Sequence, residues 1–164
     1  MDTDAVIQPP IAGVVTLYFT RPWVPDLRER LKLWIGALGY GLPSHVVAAV
    51  DGMAFGIGPG ANCFQIDQRA YEVILEGNNA IIDTLCITVP NGKGAADAAW
   101  TYAVGPMTNR QAFIRWVTGH ERRDDIDCVL AAVKVLRGGG LDVPSFRTPK
   151  RLYKWLKAKH DSKT

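Results

Sequence analysis

The chain has 164 residues, 48% of them hydrophobic, and 19 Lys and Arg against 16 Asp and Glu leave a formal net charge of +3. That length fits one domain with a core of its own, and so slight a charge does not by itself draw the chain to nucleic acid or to an anionic membrane. Three cysteines, Cys63, Cys86 and Cys128, are too few and odd in number for a disulfide framework, which points to free thiols in a reducing, cytoplasmic setting.

The start, Met1-Asp2-Thr3-Asp4, is acidic where a secretory signal is basic, and the longest apolar runs fall short of the roughly 20 residues that cross a bilayer. No membrane partner is therefore expected. Residues 1–12 read as a loose arm and residues 13–160 as a single domain. Gly13 to Phe19 is rich in β-branched and aromatic residues and predicts a strand. After a turn at Pro22 and Pro25, Asp26 caps a predicted helix whose apolar positions are Leu27, Leu31, Trp34, Ile35 and Leu38. His45 to Val50 and Met53 to Ile57 are β-type runs separated by Asp51-Gly52, the signal for a two-residue hairpin. Because Ser44 to Val50 is apolar at successive positions, it predicts a central strand buried on both sides.

Tyr71 to Leu75 and Ile81 to Val89 predict two further strands, joined through Gly77-Asn78-Asn79. The pattern then turns helical. Ala95 to Val104 ends at Gly105, Thr108 caps Arg110 to Thr118, and Asp124 or Asp125 caps a helix through Leu136 that Gly138 to Gly140 close. Thr148-Pro149 opens a last helix running to about Lys159. The expected class is α+β: an antiparallel, partly barrel-like sheet from the first half, with helices from the second packed on it.

Cys128 is the strongest candidate for chemistry. It lies near the N-terminal end of a predicted helix, where unpaired N–H groups favour a thiolate, and Val129, Ala132, Val133 and Leu136 form a stripe that would hold it rigidly. Of the three histidines only His45 falls in a predicted sheet interior, which makes it the candidate base. The structural alternatives are a cysteine packed as a small core residue and a histidine hydrogen-bonded inside a strand. Cys63 and Cys86 read as structural.

Ser44-His45-Val46 opening a hairpin, Asp127-Cys128-Val129 opening an apolar helix, and Thr148-Pro149-Lys150-Arg151-Leu152-Tyr153 opening the last one resemble the circularly permuted papain-fold cysteine hydrolases of the NlpC type. In that group histidine precedes cysteine. The resemblance covers roughly Gly13 to Leu156, and members occur in bacteria and their viruses. It implies a papain-like fold, Cys128 as nucleophile, His45 as general base, and an amide, peptide or ester substrate. A cell-interior or virion location follows for a phage-like protein.

A third polar residue should orient the imidazole. Counting back from the Asp51-Gly52 turn sets His45 opposite Gly58, which has no side chain, so Asn62 and Gln65 stand as candidates. Asp124, Asp125 and Asp127 around the thiol oppose its ionisation. The competing reading is a non-catalytic binding or structural module, such as a viral accessory or virion protein with a degenerate site and a protein partner.

No metal-binding spacing and no phosphate-loop motif is present, so neither metal nor cofactor is expected. Gly56-Ile57-Gly58-Pro59-Gly60 reads as a flexible rim beside His45. The tail's Lys150, Arg151, Lys154, Lys157 and Lys159 could track a phosphate backbone, but Leu152, Trp155 and Leu156 on one helical face predict inward packing with the lysines solvated. Nucleic acid is therefore not the expected partner.

Overall fold

Asp51 and Gly52 both take positive φ, +50° and +75°, the backbone of a type I′ turn, whose twist matches that of the strands it joins. This sets Val50 opposite Met53 and Ala48 opposite Phe55, as the two-residue turn predicts. The computed structural model describes residues 10–22, 31, 34, 41–57, 63–101 and 127–161. Its elements in chain order are β1 (Gly13–Thr20), β2 (His45–Val50), β3 (Met53–Ile57), β4 (Cys63–Asp67), α1 (Gln68–Gly77), β5 (Ile81–Val89), α2 (Gly92–Thr101), α3 (Cys128–Gly138) and α4 (Pro149–Asp161). The strands form one antiparallel sheet in the order β4-β3-β2-β1-β5, with β2 at its centre. The sheet is open, so the class is α+β as expected but the partly barrel-like closure is not found.

Strand alternation sorts the side chains onto two faces. On the first face Val15, Leu17 and Phe19 of β1, Val46, Ala48 and Val50 of β2, Phe55, Leu85 and Val89 pack beneath α2, α3 and α4. On the second face Tyr18, Val47, Ala49 and Ala54 pack against Tyr71 and Leu75 of α1. β2 is buried from both sides, as its unbroken apolar run predicts. Each large side chain so covered contributes about 1.5–3 kcal/mol.

Two predicted elements change. Tyr71 to Leu75 is the middle of helix α1 and not a strand. Its Tyr, Val, Ile and Leu content favours a strand locally, but Asp67 accepts a hydrogen bond from the Ala70 N–H as an N-cap, and Tyr71 and Leu75, one turn apart, are the buried pair. Tyr18 secures this helix to the sheet: its hydroxyl donates to Glu72 Oε1 at 2.6 Å and accepts from Gln68 Nε2 at 2.7 Å. Burial raises the Tyr18 pKa, and the hydrogen bond to Glu72 acts in the same direction. The missing strand is β4, which pairs with β3 and places Phe64 opposite Gly56. Gly56 is consequently a packing residue and not part of a rim, because a Cβ there would come within 2.5 Å of the Phe64 ring and 2.9 Å of Val47.

The helix carrying Cys128 also starts later than predicted. Asp127, rather than Asp124 or Asp125, is the N-cap, its carboxylate accepting from the Leu130 N–H at 2.7 Å. Leu31 and Trp34 of the predicted helix after Asp26 are helical but exposed, so they do not belong to a packed stripe. The predicted helix from Arg110 to Thr118 lies outside the described residues. The last helix opens as its sequence requires, with Thr148 Oγ1 accepting from the Arg151 N–H. Leu152 and Leu156 are buried, and Trp155 packs against Phe146. Lys154 and Lys159 are exposed as expected, whereas Lys157 is half-buried and bonds Asp83 of β5 at 3.2 Å.

The Asp127 cap sets where α3 begins. Asp127→Ala should lower unfolding stability by about 1 kcal/mol in urea denaturation, and Asp127→Asn, which keeps an acceptor, by less than half of that.

Candidate functional site

Cys128 occupies the first position of α3, half-buried against the first-face core. The helix is held there because Val129, Ala132, Val133 and Leu136 are all buried, the stripe that the sequence predicts. His45 heads β2, paired with Thr20 of β1. Val46, Ala48 and Val50 belong to the first face and Val47 and Ala49 to the second, so alternation directs His45 to the second face. By that alternation His45 is turned away from the face on which Cys128 packs.

Burial alone pushes the His45 imidazole down to about 4, and no charge on Cys128 contributes to the shift. An imidazole paired with a thiolate would be held protonated, with its pKa moved upward. The influence of Cys128 is felt instead at Tyr71, whose phenol is raised by burial first and then by the Cys128 charge and by Tyr18.

The remaining candidates do not complete a site. Gln65 is exposed on the edge strand β4, and its partner Phe55 belongs to the first face, so Gln65 is two strands away from His45 and on the other side of the sheet. It cannot orient the imidazole. Asn62 and Gly58 lie outside the described residues. A cavity of about 20 Å³ on the first face lies between Ala48, Phe55, Ala99, Ala131 and Val135. It has room for about one water molecule and is apolar, and neither Cys128 nor His45 lines it. Among the described residues no cluster of His, Cys, Asp and Glu could hold a metal ion. No helix among them is long and apolar enough to cross a membrane.

The structure draws attention to residues that the sequence reading passed over. Thr20, opposite His45, is fully buried, and its hydroxyl has no hydrogen-bond partner among the described residues. The neighbouring Arg21 has its Nε buried without a partner as well. A threonine and an arginine ending an apolar strand carry no local signal of this. Cys86, read as a packed strand residue, is exposed, with Thr16 Oγ1 3.9 Å from its sulfur.

Because the surroundings of the half-buried His45 favour its neutral form, the unfolded chain binds a proton more readily than the folded one between the ordinary histidine value of 6.5 and about 4. Stability contributed by neutral His45 is whole above pH 6.5 and is lost as pH falls through that window. The loss should reach at most about 3 kcal/mol. Urea denaturation at pH 7, 5.5 and 4.5 should show this decline, and His45→Gln should flatten it.

Compared with known proteins, the chain matches no family model, no curated protein and no solved structure.

Proposed function

We propose that this protein is a non-catalytic binding or structural module, built on a permuted papain-like scaffold whose thiol site is degenerate. One observation carries the reading: Val46 and Val47 alternate between the two cores, which directs His45 to the second face, whereas Cys128 packs against the first. A general base must come within about 3–4 Å of the thiol to take its proton. Rotating an imidazole about its side-chain bonds swings its tip by a few ångströms, but the ring cannot pass through the strand that carries it. A base titrating near 4 is also poorly matched to a reaction at neutral pH.

Chain order supports the kinship. A histidine heads the central strand, a tight hairpin follows, and a cysteine then opens a helix packed on the same sheet. The rival reading is a hydrolase of amide, peptide or ester bonds, and it keeps one feature in its favour, the half-buried position of Cys128 at a helix start.

Alkylation kinetics and turnover decide between the two. Cys128 should react with iodoacetamide at pH 7 no more than about tenfold faster than the exposed Cys86, and hydrolysis of a model ester should be the same in the native protein and Cys128→Ala. Faster, selective alkylation of Cys128, together with turnover abolished by both Cys128→Ala and His45→Ala, would establish the hydrolase instead.

A further inference from the structure

A strand at the border of a sheet leaves a row of N–H and C=O groups without partners, and proteins usually guard such edges with short strands, lysine, proline or bulges. The two borders of this sheet differ. β4 has five residues and runs directly into α1, so it offers little to pair with. β5 has nine residues, Ile-Ile-Asp-Thr-Leu-Cys-Ile-Thr-Val, and among the described residues it pairs only with β1. It contains no lysine, proline or glycine, and its one charged residue, Asp83, is engaged by the Tyr153 hydroxyl at 2.8 Å and by Lys157. The second face is open beside it: Val14 of β1 and Thr84, Cys86 and Thr88 of β5 are exposed, because α1 packs over the other half of the sheet.

We propose that β5 is a self-association edge, on which a second copy of this chain adds its own β5 in antiparallel register about a two-fold axis at Cys86. The sequence of the strand is complementary to itself in that register. Thr84 then lies opposite Thr88 of the second copy on the open face, and Leu85 lies opposite Ile87 on the first face, both favourable cross-strand combinations. Asp83 faces Val89, and the two Asp83 carboxylates stand six residues apart, about 20 Å, so no like charges meet. An isologous pairing of this kind closes at two copies and leaves the short β4 strands as the outer borders. It also brings the two Cys86 Cα atoms to about 4.5–5.5 Å, within the span of a disulfide. The inference goes beyond the reading of the thiol site and does not depend on what Cys128 does.

Sedimentation equilibrium of the full chain tests it. The native protein should dimerise with rising concentration. The double variant Thr84→Lys with Thr88→Lys places like charges opposite each other twice and should weaken the dimer at least about tenfold, with an unchanged circular dichroism spectrum. Thr84→Lys with Thr88→Glu places opposite charges there and should restore it. Oxidation with copper phenanthroline should give a covalent dimer that Cys86→Ser abolishes and Cys128→Ser does not. A protein monomeric up to about 1 mM, a dimer indifferent to the two lysines, or a covalent dimer that survives Cys86→Ser would each overturn the proposal.

Discussion

The burial of β2 on both faces is the constraint from which the rest of the structure follows. A strand covered on one side can leave polar residues on the other, but every residue from Val46 to Val50 is enclosed. Its two neighbours must therefore be strands, and each face must have its own helical cover. β1 and β3 supply the first requirement. α1 on one side and α2, α3 and α4 on the other supply the second. Alternation then gives adjacent residues of β2 to different cores, and the tight turn at Asp51-Gly52 fixes the pairing so that the assignment cannot slip. His45 inherits its side of the sheet from this arrangement, whatever chemistry its identity suggests.

The same constraint explains where polar groups carry cost. At the end of β2 opposite the hairpin, Thr20 and His45 face the second core as a buried hydroxyl and a neutral imidazole, with no hydrogen bond between them. A buried hydroxyl without a partner costs roughly 1–3 kcal/mol. By contrast, Tyr18, two residues before Thr20 in β1, reaches Gln68 and Glu72 and turns a buried phenol into an anchor for α1. Asp83 makes the corresponding link on the first face. Burial works to raise its pKa, but bonds from Tyr153, Lys157 and the Thr84 N–H prevail, leaving the carboxylate lowered and α4 tied to β5. α1 and α4 are thus each joined to the sheet by a polar contact as well as by apolar packing.

Charge on α4 follows the same logic. The lysines of an amphipathic helix are commonly solvated, and Lys154 is. Lys157, however, lies where the helix passes β5 and completes the Asp83 contact, while the ammonium of Lys159 sits 4.3 Å from the centre of the Trp155 ring. Part of the basic tail therefore serves the fold, which reduces the charge free to meet a polyanion.

Local chemistry made much of the architecture legible from sequence alone. The Asp-Gly turn, the limits of β2, β3 and β5, the Thr148-Pro149 helix start and the buried stripe of α3 each rest on neighbouring residues whose conformational preferences agree with their tertiary setting. α1 is not legible locally because its β-branched and aromatic residues favour a strand, while the deciding features are a cap at Asp67 and a helix-spaced pair meeting Tyr18 and Phe64 from elsewhere in the chain. The side of the sheet on which His45 stands is legible only in the tertiary structure. In a strand that is apolar at successive positions, no alternation of polar and apolar residues marks which face a distant helix will cover. Sequence could place His45 at the head of a buried strand and Cys128 at the head of an apolar helix. Only the packing of α3 onto the Val46, Ala48 and Val50 side gave Cys128 to the face that alternation along β2 turns away from His45.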